Sequence, residues 1–266
     1  MIETIAKMID FAMLPPWIDK KYTIIYDEYI ISIKNLQGGE AMHSVILAPS
    51  MMCVSQWTDP ARVLQELQAS GVERLHVDVM DGCFVPNLMM GTESIRQLRQ
   101  ASPIALDIHL MIEKPEDKLS WFDIQPGEYV SVHAESTHHV QRALARIRDL
   151  GGRPMVALNP GTPLCMAEPV LDDVEAVLLM TVNPGYAGQK LVPQTLGKIR
   201  QLRTMLDESG HSEIRIEVDG NVSFEMAPKM RAAGADMFVC GSSSIFAKEA
   251  ASIEENVRRL RSYLSI

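Results

Sequence analysis

The chain has 266 residues, 47% of them hydrophobic and 22% charged, and a formal net charge of -9. That composition can bury the core of one large domain or two small ones and reads as a soluble globular protein. The acidic balance speaks against a nucleic-acid or anionic-membrane surface, because either needs a basic footprint, yet it leaves room for a small anion held locally. No stretch reaches the roughly 18 uncharged apolar residues that a membrane span requires. Cys53, Cys83, Cys165 and Cys240 lie far apart with no CxxC pair and no secretory signal. Reduced thiols in the cytoplasm are therefore expected, rather than disulfides or a thiolate zinc site.

Residues 1 to 41 look foreign to the rest of the chain. Asp10 interrupts the first apolar run and Asp19, Lys20 and Lys21 follow it closely, which is not the pattern of a signal peptide. The aromatic, β-branched run Tyr22–Ile33 finds no place in the later alternation. Gln37-Gly38-Gly39-Glu40-Ala41 back-translates to a purine-rich AAGGAGG just before the codon for Met42, as a bacterial ribosome-binding site would. We expect Met42 to be the natural start and residues 1 to 41 to be translated upstream sequence or disordered. The alternative is a genuine N-terminal extension covering the bottom of the domain, and mass spectrometry of the native protein separates the two.

From Val45 onward, short β-branched runs alternate with longer amphipathic segments, which predicts a parallel sheet with helical crossovers. The strand candidates are Val45–Pro49, Arg74–Asp78, Ile104–His109, Tyr129–His133, Pro154–Asn159, Val177–Val182, Ile214–Asp219 and Asp236–Gly241. Helix candidates between them include Asp59–Ser70, Thr137–Leu150, Pro193–Glu208 and Ser223–Ala233, with apolar residues at three- and four-residue steps. Eight such units over residues 42 to 266 predict a single (β/α)8 barrel of TIM type. An open doubly wound sheet is the competing fold, weakened because no GxGxxG follows the first strand. Ser50, Asp78, His109, Asn159, Asn183, Asp219 and Ser242 each close a different apolar run. In a barrel those positions form the end where active sites are assembled.

The densest segment is His76-Val77-Asp78-Val79-Met80-Asp81-Gly82. Strand alternation puts His76, Asp78 and Met80 on one face. A lone inward His is usually a satisfied core residue, but an inward carboxylate beside it demands compensation by a cation or hydrogen bonds. The next strand, Leu106-Asp107-Ile108-His109-Leu110-Met111, again sets a His and a Met two residues apart, and Asp219 ends the seventh run. Two histidines and two aspartates can thus converge, a set suited to Zn²⁺, Fe²⁺ or Mn²⁺. The glycine-bearing element Thr181-Val182-Asn183-Pro184-Gly185-Tyr186-Ala187-Gly188-Gln189 follows the sixth strand, and Gly241-Ser242-Ser243-Ser244 the eighth. Together with Gly220, their backbone N–H groups are candidates for a phosphate cup.

These segments resemble the ribulose-phosphate 3-epimerase family over essentially all of residues 45 to 266. The resemblance rests on Ala48-Pro49-Ser50, His76 to Gly82 with Phe84-Val85-Pro86-Asn87, and Asp107-Ile108-His109-Leu110-Met111. It continues through His133-Ala134-Glu135, Ala157-Leu158-Asn159-Pro160, Met180-Thr181-Val182-Asn183-Pro184-Gly185, Val218-Asp219-Gly220 and Gly241-Ser242. It implies one divalent ion (Zn, Fe, Mn or Co) on His76, Asp78, His109 and Asp219, with Asp78 and Asp219 doubling as acid and base. It implies substrate contacts from Ser50, Met80, Met111, Met180 and Asn183, and phosphate contacts from Gly185, Gly188, Gly220, Gly241 and Ser242. The bland readings are core packing for the methionines and a turn cap for Ser50.

The implied reaction is interconversion of D-ribulose 5-phosphate and D-xylulose 5-phosphate at C3, in the pentose phosphate pathway. The expected enzyme is a cytoplasmic isomerase and a homo-oligomer. One departure bears on substrate: the family commonly has Asp-Gly-Gly after the seventh strand, where this chain has Asp219-Gly220-Asn221. The Asn221 side chain would crowd an approach that glycine leaves open. D-allulose-6-phosphate 3-epimerase is therefore the alternative within the same chemistry. A phosphate-binding-barrel aldolase is the alternative from another class, disfavoured because no strand candidate carries a lysine for a Schiff base. A non-catalytic sugar-phosphate sensor is a third, disfavoured by the intact His/Asp set.

Overall fold

The computed structural model describes residues 43–266 except 55–58, 248–251 and 265–266. The expectations for residues 1 to 41 lie outside the described residues. His43–Ile266 forms one compact unit. Its strands are β1 (Ile46–Pro49), β2 (Leu75–Asp81), β3 (Leu88–Met89), β4 (Leu106–Met111), β5 (Tyr129–His133), β6 (Arg153–Leu158), β7 (Ala176–Met180), β8 (Arg215–Asp219) and β9 (Met237–Cys240). Its α-helices are α1 (Pro60–Ala69), α2 (Thr92–Ala101), α3 (Val140–Asp149), α4 (Thr195–Glu208), α5 (Met226–Ala232) and α6 (Ile253–Leu264).

All eight predicted strands are present, paired in parallel in the order β1-β9-β8-β7-β6-β5-β4-β2. The ring closes between β1 and β2 through the parallel bridge Ser50–His76 and the hydrogen bond from Arg74 N to Leu47 O, 3.3 Å. The fold is thus the (β/α)8 barrel, not an open sheet.

Two features depart from the predicted pattern. The hairpin strand β3 pairs antiparallel with the end of β2, Met80 opposite Met89 and Asp81 opposite Leu88. It is too short to show an alternation in the sequence. The crossovers after β4 and β6 are built from 3-10 turns, Pro115–Asp117 and Leu119–Phe122 in one, Leu164–Met166 and Glu168–Asp173 in the other. Pro115, Pro163 and Pro169 withhold backbone donors there, which suits short turns better than a continuous α-helix.

Alternation along the strands separates two interiors. Outward residues such as Val77, Val79, Ile108, Leu110, Val156, Val177 and Val218 pack with Leu64, Ile95, Leu144, Ile199 and Leu260 of the helices in one large apolar cluster. Burial on both faces is what a parallel sheet under helices requires. Inside the barrel, Ile46, Tyr129, Met155, Ala157, Ala176, Leu178, Met180 and Met237 form a second, smaller cluster. The lumen between β2 and β5 is filled differently, by buried His76, Asp78, Asp107, His109, Ser131 and His133, with Glu217 on β8. Among the described residues no helix is long and apolar enough to cross a membrane.

Candidate active site

His76 and Asp78 on β2, His109 on β4 and Asp219 on β8 converge at the C-terminal end of the barrel, with one ligand atom from each within 4.8 Å of all the others. His76 Nε2 lies 3.3 Å from Asp78 Oδ1, and His109 Nδ1 lies 3.5 Å from Asp78 Oδ1 and 3.6 Å from Asp219 Oδ2. His76 Nε2 and His109 Nδ1 are both buried without a hydrogen-bond partner. Two bare imidazole nitrogens facing two carboxylates are costly unless a cation takes them up. The four residues therefore fit a divalent metal ion. A second grouping, His76 with Asp107 and Glu217, shares His76, whose Nδ1 is already engaged by Asp107 Oδ2 at 2.6 Å. That contact supports a ligand more readily than it makes a separate site.

The two aspartates sit in different electrostatic settings. Burial alone would raise the Asp78 carboxyl, but the charge of the neighbouring His76 imidazole holds it well below the usual carboxylate range. At Asp219, burial and the negative charge of Asp78 push the pKa up to about 7. Ser50 is buried and donates from Oγ to Asp78 Oδ2 at 2.7 Å. It precedes a 3-10 turn without capping it through its side chain, so its hydroxyl serves the carboxylate and not the turn.

Above this pole opens a cleft. Asp78, Asp219, Ser50, Met80, Met111, Met180, Asn183, Gly185, Gly188, Gly220, Gly241 and Ser242 all line it. His76 and His109 lie beneath, fully buried. Met80 and Met111 pack with Val85 in a small cluster flanked by Phe84, so the methionines are both packing and cleft wall. Asp81 does not join the pole. Its Oδ1 accepts from Cys83 N and Phe84 N and its Oδ2 from Glu113 N, which shapes the loop after β2.

The rim on the other side is built from main chain. Gly185, Gly188 and Gly220 have φ of 116°, 78° and 113°. A Cβ on Gly220 would stand 2.5 Å from Val182 Cγ2 and 2.9 Å from Val182 N, so only glycine allows this approach. Gln189 Nε2 donates to Asn183 O and Tyr186 O, tying the loop after β7 to itself. Asn221, which the sequence suggested would crowd the cup, lines the cleft beside Gly220. Its backbone is left-handed, φ 49°, and its Nδ2 donates to Gln189 O at 3.0 Å.

Sequence reasoning gave no role to three residues the structure draws into the site's support: Asp107, His133 and Glu135. His109 Nε2 is 2.8 Å from His133 Nε2, and His133 Nδ1 is 3.2 Å from Glu135 Oε2. The signal was present for Asp107, two residues before His109 on the same strand face. Glu135 lies in a turn beyond its strand, where alternation says nothing.

The sequence model of the Ribulose-phosphate 3 epimerase family matches residues 46–246. The ribulose-phosphate 3-epimerase of Bacillus subtilis is 40% identical over 197 residues, which is 74% of this chain and 90% of that protein. The one from Escherichia coli K12 is 40% identical over 207 residues, 76% of this chain and 89% of that protein. The solved structure of KGPDC from Streptococcus mutans superposes with a TM-score of 0.62 at 16% identity, covering 82% of this chain and 96% of that one. That likeness speaks for the barrel fold alone. The match across most of the barrel and the identity to full-length relatives place the chain in the ribulose-phosphate 3-epimerase family.

Proposed function

We propose that the chain is a ribulose-phosphate 3-epimerase, interconverting D-ribulose 5-phosphate and D-xylulose 5-phosphate by removing a proton at C3 and returning one to the opposite face. The observation that carries this reading is the convergence of two carboxyls, Asp78 from β2 and Asp219 from β8, on one cleft at the C-terminal end of the barrel. A proton beside a ketone is weakly acidic, and its inversion needs a base on one face and an acid on the other. In one direction the ionised carboxylate takes the C3 proton while its protonated partner delivers one. The reverse direction starts from the exchanged state. Ser50 keeps Asp78 oriented through its hydroxyl. Met80, Met111 and Met180 supply a polarizable, water-excluding floor.

When held by His76, Asp78, His109 and Asp219, a divalent ion of the Zn, Fe, Mn or Co kind supplies positive charge that stabilises the enediolate oxygens. Main-chain N–H groups around Gly185, Gly188, Gly220, Gly241 and Ser242 suit the phosphate, with Asn183 at the mouth. Relatives that carry the ribulose-phosphate name support the pentose over the allulose 6-phosphate alternative. A cytoplasmic location and a homo-oligomeric assembly belong to the same reading.

The deciding experiment compares kcat/KM for ribulose 5-phosphate and allulose 6-phosphate on the metal-loaded enzyme. Preference for the pentose is expected. Preference for the hexose would move the chain to the allulose branch, and turnover of neither would remove the epimerase reading. Chelation should abolish activity and each of the four metals should restore some of it. Full activity in a rigorously metal-free preparation would remove the metal assignment.

A further inference from the structure

We infer that His109, His133 and Glu135 form a hydrogen-bond relay that holds His109 in its Nε2–H tautomer, with the Nδ1 lone pair turned toward Asp78 and Asp219. His133 and Glu135 are then positioning residues for the pole, acting through His109. The segment His133-Ala134-Glu135 has no other part in the proposed reaction.

The proton assignment runs inward from the surface end. Glu135 Oε1 accepts from the backbone N–H of Asn159 at 2.8 Å and from the hydroxyl of Thr162. A main-chain N–H can only donate, so Glu135 presents oxygen there, and as a carboxylate it presents oxygen to His133 as well. His133 Nδ1, 3.2 Å from Glu135 Oε2, is therefore the protonated nitrogen. His133 is fully buried, which disfavours a charged ring. A neutral ring protonated at Nδ1 has an acceptor at Nε2. That nitrogen faces His109 Nε2 at 2.8 Å, a contact that needs one proton between them, so the proton belongs to His109. Nδ1 of a neutral His109 is then bare, and it is the buried nitrogen that has no hydrogen-bond partner.

The two histidines of the pole thus present opposite nitrogens. His76 is held through Nδ1 by Asp107 and offers Nε2, whereas His109 is held through Nε2 and offers Nδ1. A carboxylate can steer His76 directly. For His109 the acceptor is another imidazole, which fixes nothing unless its own tautomer is set, and Glu135 sets it.

The relay itself rests on the hydrogen bonds, and its consequence for metal binding rests on the proposed reading of the pole as a metal site. Two measurements keep these apart. Long-range ¹H–¹⁵N correlation of the imidazoles in the metal-free chain should show His109 as the Nε2–H tautomer. The Nδ1–H tautomer would overturn the relay. In Glu135→Gln the amide oxygen stays with Asn159 N–H and the amide NH₂ faces His133, so the chain of donors reverses and His109 becomes Nδ1–H. Zn²⁺ affinity of the apo chain, read by chelator competition, should fall about 10- to 100-fold in that variant. His133→Gln, which keeps an amide oxygen as acceptor, should retain affinity to within a few-fold, while His133→Leu should not. Unchanged tautomers and unchanged Zn²⁺ affinity in folded Glu135→Gln would overturn the proposal. A wild-type chain with the expected tautomer that binds no Zn²⁺ upholds the relay and overturns the metal reading instead.

Discussion

The two sides of the cleft are made of different material. On the β2–β4 side the polar groups are side chains, locked by other side chains: His76 by Asp107, Asp78 by Ser50, His109 by His133. On the side of the loops after β7, β8 and β9 the cleft is largely glycine backbone, and the side chains of Gln189 and Asn221 bond to main-chain oxygens rather than to each other. A pole built from side chains fails when one atom changes its chemistry and the volume stays the same. A rim built from backbone tolerates changes in polarity and fails when bulk is added.

The largest expected effect tests the first half of that contrast. Asp78→Asn and Asp219→Asn keep the volume and remove a proposed proton carrier, so each should lower epimerisation by about 10²- to 10⁴-fold or more. Metal content has to be measured beside the rate, because both residues also belong to the proposed metal set. In deuterated water the surviving carboxylate should still exchange the C3 hydrogen of one epimer with retained configuration. Near-normal epimerisation by either metal-loaded variant would leave a one-base route.

Bulk on the rim comes next. Gly220→Ala forces Val182 to shift, because the new Cβ meets both its side chain and its backbone nitrogen, at a φ of +113°. A displacement of that kind costs about 10²-fold in kcat/KM. Non-phosphorylated ribulose should suffer a loss of similar size, roughly 10² or more, if several charge-assisted hydrogen bonds of about 1.5 to 3 kcal/mol are lost. Equal turnover of free and phosphorylated sugar would show that the rim does not bind phosphate.

Next comes the pH dependence that Glu135 gives to stability. Glu135 has its pKa lowered to about 2; burial opposes this, and hydrogen bonds from His133, Thr162 and Asn159 N–H outweigh it. A depressed carboxyl contributes stability that is fully present above its unfolded pKa, near 4.5, and is lost as pH falls toward 2. With its side chain 22% exposed, the contribution is about 2 kcal/mol after allowance for screening. Urea unfolding of wild type and Glu135→Gln should therefore differ at pH 7 and converge below pH 3. A gap that persists undiminished at pH 2 would show that the carboxylate's charge is not its source.

The smallest effect belongs to Asn221. Its hydrogen bond to Gln189 O steadies the loop after β7 and is worth about 1 kcal/mol. Asn221→Gly removes it and relieves the left-handed backbone, so KM for the phosphorylated sugar should rise about 3- to 5-fold with kcat kept. A matching fall in kcat would place Asn221 at the reacting centre instead of the rim.

How much of this was legible in the sequence obeys the same division. The barrel was, because hydrophobic period and strand spacing are local properties that survive without any tertiary contact. The inward face of β2 was, because alternation alone puts His76, Asp78 and Met80 together. The direction of the Asn221 side chain was not: the sequence shows a bulkier residue where glycine is common, and only the left-handed backbone at φ 49° turns its amide toward Gln189. Asp81 stands three residues from Asp78 in one motif and looks equally chemical, yet its oxygens are taken up by three backbone N–H groups.

By itself the sequence determined the fold class, the family and the residue types at the pole, since each is written in periodicity and in short motifs. The tertiary structure decided which groups meet at the pole and which residues hydrogen-bond to them. Those depend on burial and on hydrogen bonds between residues far apart in the chain: 31 residues from His76 to Asp107, and 24 each from His109 to His133 and from Glu135 to Asn159. Strand alternation says which way a side chain points, and only the closed barrel says what it meets there.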